Sequence, residues 1–154
     1  MVELTSFMKG KIVCLDLKSE TKADMFEEMS DLISHSEFVP DRREFLDALK
    51  EREAVMVTSL GDGVGIPHAR CDSIQQLVIA VGISRKGIDF GAKDDPAVRI
   101  VFMFGIPTQE TKLYIQVLAK ISRFARKKEN RERLLSARSA DEIFAAFEEF
   151  DANS

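Results

Sequence analysis

"LVIAVGI" (residues 77–83) and "RIVFMFGI" (residues 99–106) are the two stretches in which apolar residues run almost without a break. A strand with one wet face alternates apolar and polar side chains; a strand covered on both faces does not. Runs of this kind suit strands with helices above and below one sheet. Outward from them, strand-like and helix-like segments alternate. "KIVCLDL" (11–17) has strand composition, and the helix pattern of 19–36 follows, with Thr21 and Asp24 at capping-box spacing and Met25, Met29 and Leu32 at helical intervals. Pro40-Asp41 opens a second helix whose buried side is Phe45, Leu46 and Leu49. "AVMVT" (54–58) is expected as a short strand, and the connection 84–97 has edge-strand character at "GIDF". Pro107-Thr108 is expected to start a long helix with the stripe Leu113, Val117, Leu118, Ile121 and Ala125. The last helix begins at Ser139, with Glu142 three residues on and Ile143, Phe144, Phe147 and Phe150 facing inward. The expected fold class is α/β: a single-domain sandwich around a central sheet with helices on both faces.

Bulk properties narrow the function. A chain of 154 residues with 45% hydrophobic and 31% charged residues forms one folded domain, its core over about 5–150 and its tail "DANS" dispensable. The net charge of -4 argues against nucleic acid as the main partner. No apolar run reaches the roughly 18–20 residues that cross a bilayer. Glu3, Lys9 and Lys11 interrupt the N-terminal segment, so no signal peptide is expected there. Cys14 and Cys71 lie far apart, as suits a reducing cytoplasm better than a disulfide framework. Direct membrane insertion is not expected, and the expected localisation is cytoplasmic.

Chemistry concentrates in "SLGDGVGIPHAR" (59–70), which surrounds one of only two histidines with Gly61, Gly63, Gly65 and Pro67. Glycines take positive φ and let backbone N–H groups approach an anion. Pro67 holds Ile66 extended and fixes the histidine that follows. A largely neutral imidazole at His68 can attack phosphorus, with glycine amides, Arg52 and Arg70 to balance charge. Taken alone, such a loop is also a common hairpin connection. It is neither a Walker loop nor G-x-G-x-x-G, which argues against nucleotide binding.

The neighbours sharpen this. "KEREAVMVTSLGDGVGIPHAR" (50–70) resembles the active-site signature of the type-2 EIIA proteins of the bacterial sugar phosphotransferase system, the mannitol/fructose class with its nitrogen-regulatory branch. The resemblance runs through Arg52-Glu53, Thr58, Gly61, Gly63, Gly65 and Ile66-Pro67-His68. It continues through both apolar strands, "GIDF" and "LLSARSADEIF". It implies a mixed sheet flanked by helices and a phosphocarrier whose His68 accepts a phosphoryl group, on Nε2, from an HPr-type phosphocarrier. Arg52 would then stabilise the phosphate, and Thr58, Gly61, Gly63 and Gly65 would form the phosphate loop. A sugar-specific EIIA passes the group to an EIIB cysteine; a regulatory EIIA acts through its phosphorylation state. The lack of fused partner segments in the sequence favours the regulatory branch as the expectation. An interaction module that has lost transfer is the alternative. Relatives carry a second histidine near the start of the helix after the proline, where this chain has Tyr114. That tyrosine is either core or a hydrogen-bond donor to the phosphoryl group.

Other candidates take plainer readings. His35 ends a helix and suits its C-terminal dipole. Cys71, three residues after His68, lacks the further ligands that zinc needs, so no metal and no cofactor is expected. Asp62 serves turn geometry. "RFARKKENRER" (123–133), with six basic and two acidic residues, reads as a solvated helix end. Val64 and Ile66, taken as exposed beside the loop, and Arg70 are the expected docking residues for HPr.

Overall fold

The computed structural model describes residues 2–91 and 96–153. The two apolar runs are the central strands of a six-stranded mixed sheet. The strand β5 (Val78–Ile88) pairs antiparallel with β6 (Val98–Pro107), from Val78 opposite Gly105 to Ile88 opposite Val98. On the far side of β5 lies β1 (Val13–Cys14), parallel to it. The other edge of β6 is shared by β3 (Val64–Gly65) and β4 (His68–Cys71), both parallel to it, and β2 (Ser59–Gly61) runs antiparallel to β3.

Alternation along the central strands sends side chains to two separate cores, so both faces need cover. Ile79, Val81, Ile83, Ile100, Phe102 and Phe104 face one cluster. It is closed by α3 (Thr111–Arg126), α4 (Lys128–Ser136) and α5 (Ala140–Ala152) through Val117, Ile121, Phe124, Leu134 and Phe147. Val78, Ala80, Val101 and Met103 face the other, closed by α1 (Lys22–Ser34) and α2 (Arg42–Val55) through Met25, Met29, Phe45 and Leu49. The helix starts follow their caps. The side chains of Thr21, Asp41 and Ser139 accept from the N–H groups of Asp24, Glu44 and Glu142. His35 is the C-cap of α1, its ring bonded to the carbonyl of Asp31.

Several expectations are corrected. "AVMVT" is not a strand: α2 continues through Val55, the Arg52 guanidinium bonds the Met56 carbonyl at 3.1 Å, and Val55 and Met56 are exposed. Val55 ends the helix exposed and no strand pairs with it, so its strand propensity is not realised. Pro107 ends β6 rather than starting a helix, because its carbonyl accepts from Glu110 N–H in a turn before α3 begins at Thr111. "KIVCLDL" shortens to Val13–Cys14. Gly87 and Ile88 of "GIDF" end β5, and Asp89 makes a single bridge to Thr21; residues 92–95 of that connection lie outside the described residues. The basic run is no single helix end but spans the break between α3 and α4, with Asn130 bonded to the carbonyl of Phe124.

The tail is tied to the rest of the chain through Asp151. The Asp151 carboxylate accepts from the N–H groups of Leu4 and Thr5 and from the Thr5 hydroxyl, at 2.9–3.0 Å. It also pairs with buried Lys120, which reaches the Val2 carbonyl at 2.6 Å. Burial pushes that carboxyl up, but these donors together hold it below the ordinary Asp range. Ser154 lies outside the described residues. Among them, no helix is long and apolar enough to cross a membrane.

Candidate active site

The segment 64–71 is a strand broken at one point. Val64 and Gly65 pair with Ile100 and Val101, and His68 onward pairs with Phe104 onward. Between them Pro67 has no N–H to give, and Ile66 N–H turns instead to the carbonyl of Thr58 at 2.8 Å. Alternation then places Val64, Ile66, His68 and Arg70 toward the α3 side, with Ala69 and Cys71 in the opposite core. β4 pairs with β6 and also packs against α2, and groups from both helical layers converge on His68. They form a recess of about 520 Å³ lined by Ala48, Glu51, Arg52, His68, Ala69, Arg70 and Tyr114.

His68 is 6% exposed and bonded on both ring nitrogens. Nδ1 lies 3.0 Å from the Ile66 carbonyl, which can only accept, so Nδ1 carries the proton. Nε2 is therefore the acceptor, 3.0 Å from the Tyr114 hydroxyl. Burial pushes the imidazole below its ordinary value, the Ile66 carbonyl pulls the other way, and Arg52 and Arg70 add to the lowering. His68 is thus neutral at pH 7, with its lone pair on Nε2 at the recess. Burial also pushes the Tyr114 phenol up against the opposing pull of Arg52 and Arg70, so the hydroxyl keeps its proton.

A buried clamp sits behind this geometry. Glu53 accepts from the Thr58 hydroxyl at 2.5 Å and the Thr58 N–H at 2.9 Å, and pairs with Lys22 at 3.1 Å. Lys22 also bonds the Phe90 carbonyl. The chain of contacts therefore runs Glu53, Thr58, Ile66, His68, and ends on the Nδ1 proton. The residue pair Glu53 and Thr58 carried no chemical signal in the sequence beyond the family likeness; its role appears only when α2 lies beside the turn.

The expected site residues divide accordingly. Arg52, His68, Arg70 and Tyr114 come together in the recess. The glycines and Thr58 do not line it. Gly61 and Asp62 border a different recess with Leu60, Ser122, Ala125 and Arg126. Gly61, Asp62 and Gly63 all take positive φ, so they turn the β2–β3 hairpin. The Gly63 carbonyl accepts from Arg99 and Ile100, and a Cβ on Gly65 would lie 2.5 Å from the Phe90 ring. These glycines shape the hairpin and the sheet, and none of them lines the recess at His68. Val64 and Ile66 are also corrected: they are 0% and 7% exposed, packed in the α3-side core, and cannot form a docking rim. The large apolar side chains exposed near the recess are Val55 and Met56 beyond Arg52 and Ile115 beside Tyr114. Among the described residues no group of three His, Cys, Asp or Glu side chains could hold a metal.

Residues 6–150 match the family described as "Phosphoenolpyruvate-dependent sugar phosphotransferase system, EIIA 2". The chain belongs to this family. Among EIIA relatives, it is 33% identical over 143 residues to the fructose-specific EIIA component of Haloferax volcanii, covering 93% of each chain. The crystal structure of nitrogen regulatory protein IIA-Ntr from Neisseria meningitidis superposes with a TM-score of 0.81 at 30% identity, over 89% of this chain and 93% of that one. The mannitol EIIA of Escherichia coli, solved in complex with phosphorylated EIIB, shares the EIIA fold, with a TM-score of 0.78 at 21% identity over 90% and 95% of the two chains. As an EIIA type-2 protein the chain is a component of a phosphotransferase system, and its relatives span sugar-specific and nitrogen-regulatory members.

Proposed function

We propose that this EIIA is a histidine phosphocarrier that receives a phosphoryl group on Nε2 of His68 from the phosphohistidine of an HPr-type carrier. The supporting observation is the Nδ1 proton anchored on the Ile66 carbonyl, which leaves the Nε2 lone pair facing the recess between two arginines. In the transfer, Nε2 donates that pair to phosphorus while the carrier's N–P bond breaks and its imidazole leaves with the bonding pair. The His68 ring gains positive charge, which the Ile66 carbonyl stabilises through Nδ1–H. Arg52 and Arg70 offset the charge on the phosphoryl oxygens of a loose transition state. Neither nucleotide nor metal has a part in these steps. Val55, Met56 and Ile115 supply apolar contact for the carrier in place of Val64 and Ile66, and the cytoplasm suits the two free thiols, Cys14 and Cys71.

Incubation with phosphoenolpyruvate, Enzyme I and HPr, followed by intact-mass measurement, tests this. The expected result is a gain of one acid-labile phosphoryl group, absent in His68→Ala. No gain, with HPr itself phosphorylated, refutes the carrier function and leaves an interaction module. For the onward step we favour the regulatory branch, supported by the likeness to the Neisseria IIA-Ntr. The likeness to the Haloferax fructose-specific EIIA supports the sugar branch instead. Rapid transfer to the cysteine of a cognate EIIB would decide for the sugar branch.

A further inference from the structure

Tyr114 is the only tyrosine of a chain without tryptophan, and its hydroxyl sits on the atom that has to act as nucleophile. A lone pair on Nε2 that accepts this hydrogen bond cannot attack phosphorus at the same time, so the hydroxyl has to leave first. The tyrosine ring is held in place from several sides. Its centroid is 5.0 Å from the imidazole, it meets Phe104 edge-on, and the Arg70 guanidinium lies 5.8 Å from its centroid. Arg70 is exposed and shares the strand face of His68. The same guanidinium that steadies the ring is therefore placed to turn toward an arriving anion, which loosens the ring as the phosphoryl group comes in.

We infer that Tyr114 is a catalytic residue acting as an exchangeable donor: it caps Nε2 in the resting protein and turns its hydroxyl to a phosphoryl oxygen once the N–P bond has formed. The inference rests on the phosphocarrier reading of His68. The hydroxyl keeps its proton throughout; the only bonds made and broken are the two N–P bonds of the transfer. The resting hydrogen bond joins two neutral groups, whereas the new one reaches an anionic oxygen and is roughly twice as strong. Tyr114 thereby favours the phosphorylated form. The charged groups around the histidine are Glu51, Arg52 and Glu53 from α2 and Arg70 from β4; α3 contributes the neutral phenol.

Two measurements test this. In the first, the resting protein and Tyr114→Phe are titrated by NMR at the His68 ring nitrogens. Loss of a donor to Nε2 is expected to raise the midpoint in the variant; an unchanged midpoint overturns the cap. In the second, fluorotyrosine labelling gives a single fluorine resonance, recorded before and after phosphorylation by phospho-HPr. A shift is expected, together with about a five- to tenfold fall in the phosphorylated fraction ratio of Tyr114→Phe at equilibrium with the carrier. An unmoved resonance or an unchanged ratio overturns the exchange. A wild-type chain that takes up no phosphoryl group overturns the carrier reading and the exchange with it, while the titration still decides the cap. The phenylalanine keeps the contact with Phe104, and a purely packing role for the ring would move neither the midpoint nor the ratio. The fluorine arm needs no substitution at all.

Discussion

The glycine turn at 61–63 and the histidine strand at 68–71 are a few residues apart in one loop-rich segment, yet they do different work. The turn holds three consecutive positive-φ residues and borders a recess with α3 residues Ser122, Ala125 and Arg126. The strand holds His68 in a recess among groups delivered by α2 and α3. Dense glycines marked where the backbone has to bend and where Phe90 has to pass close by. They did not mark the residues that line the recess at His68. The recess at His68 is lined instead by residues distant in sequence, Arg52 and Tyr114, that the two helical layers bring to β4.

Substitutions can break or sharpen that contrast. The largest effect is expected from Glu53→Ala, which strands Lys22 and the Thr58 hydroxyl and should cost about 2–4 kcal/mol in urea unfolding. It should also slow phosphoryl uptake, because Ile66 loses its support. Next comes Arg52→Ala, with transfer from phospho-HPr about a hundredfold slower in quench-flow. Its stability should stay within about 0.5 kcal/mol, since the guanidinium makes one surface bond. Gly65→Ala pushes a methyl into the Phe90 ring and should cost about 1–3 kcal/mol in thermal or urea unfolding. The folded variant should still take up phosphoryl. Gly61→Ala meets open space but keeps a positive φ, so about 1 kcal/mol of strain is expected and no change in transfer rate. A hundredfold loss of rate there would restore the glycine turn to the active site and erase the contrast.

The smallest effect concerns pH. Burial depresses the His68 imidazole below its ordinary 6.5, so the folded state binds fewer protons than the unfolded chain on the acid side of that value. Stability should therefore rise with pH through that window and level off above it. Uptake should likewise be flat at neutral pH and fall only below 6.5, as Nε2 becomes protonated. A stopped-flow profile falling already at pH 7 would contradict the buried setting.

Legibility followed the range of the interactions. Both central strands could be read from their apolar runs, and the starts of α1, α2 and α5 from Thr21, Asp41 and Ser139, because burial pattern and caps are local. "AVMVT" misled because β-branched residues make a strand only when a neighbour pairs with them, and α2 simply ran on to Val55. Pro107 misled because proline suits a helix start and a strand end alike. His68, Arg52 and Tyr114 were nameable from the family likeness. The Glu53–Thr58 clamp depends on α2 lying beside the turn, and the burial of Val64 and Ile66 on the helices that close the α3-side core; no sequence window contains either.

The Asp151 carboxylate, gripping Leu4 and Thr5 across almost the whole chain, gives the molecule a closed circumference. Leu4, Thr5 and Asp151 lie side by side, tied by a side chain rather than by a peptide bond. A covalent ring joined there with a short linker should fold much as the linear chain does. The ring could then be reopened at the exposed hairpin tip, Asp62, which borders no part of the histidine recess. Such a permuted carrier would keep its chemistry and present its free ends on a different part of its surface.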